Sequence, residues 1–217
     1  MLEAARGVAA LAEDIVISEL RQYPDYSLLV VGHSLGGSVA AVLATLWEEK
    51  FPNIHVYAYG AACVTTETGT KSRAKIVSVM GEGDPFSCLS LGHVADVSVA
   101  LAELCDNPDL RTTILMRTDG RLEDMDERDL VWCSSTMQEL RRSMKGEKLY
   151  PPGRLLYLSK PDKRQRHVYA REVPTHFFQD LVIGPRMFDL SRHVPRLYET
   201  RLRDCVATMA TSVPDNM

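Results

Sequence analysis

Leu28-Leu29-Val30-Val31-Gly32-His33-Ser34-Leu35-Gly36-Gly37 decides how the rest of the chain is read. A short run of leucine and β-branched valine ends at Gly32, and the next residues complete Gly-x-Ser-x-Gly. Val39, Val42, Leu43, Leu46 and Trp47 then recur at helical spacing. Strand, sharp turn, helix is the context in which a serine becomes a nucleophile. The turn lifts the hydroxyl above the sheet, and the N–H groups of the following helix point at whatever binds there. Such a tight turn predicts that the glycines on both sides of Ser34 are required by crowding. The bare pattern arises by chance in roughly one chain in ten of this length, so the flanking strand and helix carry the assignment. A phosphate-binding loop would need Gly-Lys-Ser/Thr or Gly-x-Gly-x-x-Gly, and the chain has neither.

The 217 residues are 45% hydrophobic, enough for one well-cored globular domain. A net charge of −4 argues against a nucleic-acid partner. No apolar run approaches the length of a membrane span. Acidic residues at Glu3, Glu13, Asp14 and Glu19 do not fit an ordinary secretory signal. The five cysteines (Cys63, Cys88, Cys105, Cys133 and Cys205) are scattered and form no Cys-x-x-Cys pair. A zinc site or disulfide framework is therefore not expected, and a reducing compartment is.

Around the central stretch the chain alternates helix and strand. Ala4, Val8, Leu11 and Ile15 predict a first helix that Pro24-Asp25 closes before a strand over 26–31. Further strands are expected at 54–59, running into Gly60, and at 76–80, running into the turn Gly81-Glu82-Gly83-Asp84-Pro85. This pattern predicts an α/β fold: a mostly parallel sheet with helices on both faces, its chemistry beyond the carboxyl ends of the strands. From about 93 to 150 the character changes. Val94, Val97, Leu101 and Leu104 mark a helix. Asp119 to Asp129 holds six acids without the Asp-x-Asp-x-Asp-Gly pattern of a calcium loop, so a solvated helical insertion is the reading. Residues 155–158 and 167–170 flank a charged turn and predict a β-hairpin. An apolar run over 177–183 ends at Gly184-Pro185, and a polar loop delivers His193 before a terminal helix through Leu197, Leu202 and Val206. One domain, 1–217, with the insertion at about 93–150, is the expected organisation.

A serine hydroxyl is too weak an acid to attack unaided, so it needs a base, and the base needs an orienting acid. In this architecture they follow in the order Ser, Asp or Glu, His. Asp84 sits on a turn after a strand beyond the elbow, with Glu82 as its rival in the same turn. Six histidines compete for the base. His33 lies inside the elbow, where its ring cannot easily swing round to Ser34; His55 and His167 fall mid-strand; His93 opens the insertion. His193, on a loop after the last apolar run, is the candidate, with His176 second.

These residues resemble the class 3 lipases, the family that includes fungal triacylglycerol lipases and sn-1-specific diacylglycerol lipases. Val30–Gly37 is similar to the family's elbow, and Tyr57–Cys63 to its strand after the elbow helix. Ile76–Asp84, with Leu89-Ser90 beyond, resembles the acid-bearing strand and turn. Leu181–Phe188 followed by His193-Val194-Pro195 resembles the histidine-bearing end of the diacylglycerol lipase branch. Pro85-Phe86-Ser87-Cys88 after the acid and Arg192 before the histidine depart from the usual pattern. The resemblance implies an α/β-hydrolase fold and a Ser34, Asp84, His193 triad, with the Leu35 N–H as one oxyanion donor. It implies hydrolysis of a glycerolipid ester at a membrane or lipid-droplet surface, on the cytoplasmic side, with no metal or organic cofactor. Family members also carry strands upstream of the first helix, so the chain is expected to be the C-terminal catalytic portion of a longer protein or a shortened gene product. A catalytically weak lipase-like binding module, and an esterase or thioesterase on smaller acyl groups, are the alternatives.

Overall fold

A computed structural model describes residues 1–66, 72–109, 111–112, 127–159, 168–179 and 189–212. The acidic run up to residue 126, the hairpin turn and the run at 181–188 lie outside the described residues. The chain divides into two compact units. One is Met1–Ser90 with Leu149–Met217; the other is Leu91–Lys148.

The first unit is built on a five-stranded sheet: β1 Leu29–His33, β2 His55–Tyr59, β3 Lys75–Gly81, β4 Arg154–Leu158 and β5 Ala170–Val173, in that spatial order. The first four strands run parallel, and β5 returns antiparallel to β4 as a hairpin whose second strand lies three residues later than the expected 167–170. Side chains alternate between faces along each strand, and the packing follows. Val56, Ala58 and Ile76 are buried against α1 (Leu2–Gln22) and α2 (Leu35–Trp47), with Ala5, Leu43 and Trp47 among the helical partners. On the other face Val79 and Leu158 pack with Tyr198 and Leu202 of the terminal helix. This is the predicted α/β architecture, consistent with an α/β-hydrolase fold.

Three further details differ from the sequence reading. The first strand starts and ends later than 26–31, because Gly32 and His33 still pair with Ala58 and Tyr59 of β2. The terminal helix turns Tyr198, Arg201 and Cys205 inward, whereas Val206 is exposed. In the second unit, α3 (Leu91–Asp106) buries Gly92, His93 and Asp96 while Leu101 is 57% exposed. Asp96 draws that face inward. Its Oδ2 pairs with Lys148 at 2.7 Å, and its Oδ1 accepts from the Gly146 N–H at 3.2 Å. A second helix, α4 (Glu127–Ser143), completes the described part of this unit. The terminal helix is then α5 (Pro195–Ser212).

Candidate active site

Strands β1 and β2 end level with one another and β3 runs two residues further, and each chain exit is tied to the next strand by a backbone bond. Ser34 N–H donates to Tyr59 O at 2.8 Å, Gly60 N–H to Val79 O at 2.9 Å, and Glu82 N–H to Leu158 O at 2.8 Å. The exits therefore form one fixed rim.

Ser34 occupies the first exit with φ 55 and ψ −126, the single positive φ at a non-glycine among the described residues. This conformation is costly for an L-residue and persists only where the surroundings enforce it. Gly32 shows how they do so. A Cβ there would lie 2.4 Å from the Gly36 backbone, so helix α2 starts almost in contact with the strand that feeds it. Gly37 continues the close approach, with Ala58 and Ala61 Cβ atoms 3.3 Å from where its own would be. Gly36 departs from the expectation: a Cβ there meets nothing within 4 Å. Crowding explains the glycine before the serine and not the one after it.

The Ser34 hydroxyl makes no capping bond to its own helix. It lies 2.7 Å from His193 Nε2 instead. The other ring nitrogen, Nδ1, is 2.8 Å from Asp84 Oδ2. A carboxylate oxygen only accepts, so Nδ1 carries the proton and Nε2 is left to accept from Ser34. Asp84 is buried, 4% exposed, at the head of a 3-10 turn over Pro85–Cys88. Its Oδ1 accepts from Phe86 N–H at 2.8 Å, which fixes the carboxylate plane by local turn geometry. The rival Glu82 lends its backbone carbonyl to Arg201 at 3.2 Å, and His176 lies exposed in the 3-10 turn over Thr175–Phe178. The three residues brought together are thus Ser34, His193 and Asp84. Leu35 opens α2, so its N–H has no carbonyl one turn back within the helix.

Several neighbours were not singled out by sequence. Tyr198 O–H donates to Asp84 Oδ2, and its oxygen accepts from Gly81 N–H at 3.1 Å. Burial and then the Asp84 charge push its phenol well above the ordinary range, so it stays a donor. Gly60, at φ 54, gives these groups room. A Cβ there would stand 3.0 Å from Asp84 Oδ2, His193 Cε1 and Tyr198 Oη alike. Phe86 packs on the His193 ring at 4.3 Å between centroids. Arg192, the departure before the histidine, bonds Asp189 at 3.1 Å and lies against Gly83, where a Cβ would come 2.2 Å from its Nη1. Of these, Gly60 carried a local signal as a glycine closing a strand, and Phe86 and Arg192 stood out as departures from the family pattern; Tyr198 reaches Asp84 across 114 positions.

Residues 1–93 match the family described as lipase (class 3). The secreted mono- and diacylglycerol lipase A of Penicillium cyclopium is 38% identical over 99 residues, covering 39% of this chain and 31% of its own. Diacylglycerol lipase-alpha of Homo sapiens is 24% identical over 212 residues, covering 85% of this chain and 20% of its own. The chain therefore spans less than a third of the length of either relative. Among solved structures, the lipase of Rhizopus microsporus var. chinensis aligns over 37% of this chain and 31% of its own, at 25% identity and a TM-score of 0.34. Among the described residues no helix is long and apolar enough to cross a membrane.

Proposed function

We propose that the chain carries the catalytic triad of a serine hydrolase that cleaves a glycerolipid ester. The observation that carries the proposal is the unbroken line from Ser34 Oγ to His193 Nε2 at 2.7 Å and from His193 Nδ1 to Asp84 at 2.8 Å. In this reading Ser34 attacks the ester carbonyl while His193 takes its proton. Asp84 holds the imidazole in the required tautomer and stabilises the imidazolium. The tetrahedral oxyanion forms beside the Leu35 N–H, where the N-terminus of α2 adds partial positive charge. His193 then hands the proton to the departing glycerol oxygen, and water attacks the acyl-enzyme by the same route reversed.

The substrate class rests on the relatives and on the rim of the site. Mono- and diacylglycerol and diacylglycerol are what the names of the two relatives specify. Leu35, Leu190 and Val194 are exposed by 59%, 60% and 44% beside the reacting groups, an apolar fringe suited to acyl chains. The protein would work at the surface of a membrane or lipid droplet, from the cytoplasmic side, with residues 93–150 as an insertion in one hydrolase domain.

A substrate series tests this: dioleoylglycerol, trioleoylglycerol, a short p-nitrophenyl ester and an acyl thioester, each with wild type and Ser34→Ala. Hydrolysis of the glycerides, lost in Ser34→Ala, is the expected result. Turnover of only the p-nitrophenyl ester or thioester would move the substrate to small acyl groups. No Ser34-dependent turnover of any would leave a binding module.

A further inference from the structure

We propose that His33 is a positioning residue for His193, so that the turn carrying the nucleophile also holds the base. This rests on the reading of Ser34 and His193 given above. His33 Nε2 lies 2.6 Å from the backbone carbonyl oxygen of His193. A carbonyl cannot donate, so Nε2 carries the hydrogen and the bond is N–H to O.

The position of that carbonyl gives the bond its consequence. His193 ends the 3-10 turn over Leu190–Arg192, and α5 begins two residues later at Pro195. Its N–H is already committed to Leu190 O at 3.0 Å. His33 holds the other side of the residue, and the His193 backbone is then fixed at both its N–H and its C=O. The anchor itself is rigid, because His33 is the last residue of β1 and pairs with Tyr59. The rings also meet: His33 and His193 centroids are 4.6 Å apart, and Tyr198 meets His33 edge-on at 6.0 Å. His33 and Ser34 are consecutive, so one short piece of backbone sets both ends of the Ser34–His193 bond. The residue that sequence reasoning set aside as a base acts on the base through its main chain.

Space-filling and hydrogen bonding make different predictions, and substitution separates them. His33→Phe keeps a ring and loses the donor. His33→Gln restores an N–H at similar reach, and His33→Asn offers the same amide on a shorter arm. Steady-state kinetics on a p-nitrophenyl ester should show kcat of His33→Phe down about tenfold to a hundredfold with KM nearly unchanged, the loss expected for a small misplacement of a reacting group. His33→Gln should recover most of it and His33→Asn less. Melting curves check that the variants are folded. Wild-type kcat in His33→Phe would overturn the proposal, as would a His33→Gln no faster than His33→Phe. If His33→Phe does not fold, equal rates in the Gln and Asn variants overturn it.

A second readout stands apart from turnover. The Nδ1–H proton of His193, seen by NMR with 15N-labelled histidine, should move or broaden in His33→Phe and return in His33→Gln. If wild type hydrolyses nothing, the hydrolase reading fails, and this signal alone decides on His33. An Nδ1–H resonance unchanged in all three variants would contradict the proposal.

Discussion

The turn from Gly32 to Gly37 and the turn from Gly81 to Cys88 both leave a parallel strand at the same rim, and they are held in opposite ways. The elbow is locked by its own neighbours: Gly32 admits α2 to contact distance, Ser34 takes up the positive φ, and Ser34 O accepts from Gly37 and Ser38. The acid turn is held locally by Asp84 N–H to Gly81 O at 3.0 Å and Phe86 N–H to Asp84 Oδ1 at 2.8 Å. Its other partners come from separate elements, most of them more than a hundred residues away: His193 and Tyr198 on the carboxylate, Arg201 on the Glu82 carbonyl and Arg192 over Gly83, with Leu158 O on the Glu82 N–H and Cys63 on the Ser87 carbonyl nearer in sequence. The site thus combines a proposed nucleophile positioned mainly by local geometry with a carboxylate positioned mainly by tertiary structure. The elbow should fail by backbone crowding, the acid turn by loss of distant partners.

The largest effect is expected at Gly32. Gly32→Ala puts a methyl 2.4 Å from the Gly36 backbone, which cannot move without displacing α2. A stability loss of about 3 kcal/mol or more is expected from the urea midpoint. A midpoint close to wild type would show that the elbow has slack.

Tyr198→Phe probes the acid turn in the same way. It removes a donor to a buried carboxylate and strands the Gly81 N–H, bonds worth about 1–3 kcal/mol. In the proposed mechanism Asp84 orients the base, so kcat is expected to fall roughly tenfold with KM little changed. An unaltered kcat would confine Tyr198 to packing.

Alkali should distinguish the two regions further. Burial pushes the Cys63 thiol and the Tyr157 phenol up to about 12, and raises Tyr198 as well. Cys63 bonds the Ser87 carbonyl at 3.5 Å, and Tyr198 bonds Asp84 and Gly81, so these two belong to the acid-turn corner. Their folded pKa values lie above the unfolded ones, so folding retains protons the unfolded chain gives up. The stability they lend is whole below about pH 9, and the Cys63 share is lost as pH rises through about 12. Hydrogen exchange at rising pH, corrected for its intrinsic rate, should show Gly81–Cys88 opening before Gly32–Gly37. The reverse order would contradict the contrast.

The smallest effect is expected at Gly36, where a Cβ meets nothing and the backbone is helical. Gly36→Ala should be neutral or more stable by up to about 1 kcal/mol in the same urea experiment. A loss comparable to that of Gly32→Ala would restore crowding as the reason for both glycines.

This contrast also separates what could be read from the sequence. The parallel strands, the elbow and the position of Ser34 are local patterns, and hydrophobic periodicity with glycine placement expresses them within about twenty residues. Asp84 and His193 were legible by architecture, as loop residues after strands in the required order. Tyr198 was not. It looks like one more apolar position of a terminal helix, and its meaning depends on a carboxylate that only folding brings near. His33 was weighed in the sequence only as a base for Ser34; its partner is a backbone oxygen 160 positions away, which no local pattern reveals. The face of α3 was misread because Asp96, paired with Lys148, turns inward and leaves Leu101 outside.

The central claim is that Ser34 is a nucleophile activated by His193, and covalent labelling tests it without reference to any substrate. Protein treated with a fluorophosphonate should gain one adduct, mapped by peptide mass spectrometry to the peptide containing Ser34. Ser34→Ala should gain none, and His193→Ala should label at least about a thousandfold more slowly, since nucleophile and base act as a unit. An unlabelled wild type, or equal labelling of wild type and Ser34→Ala, would contradict the account.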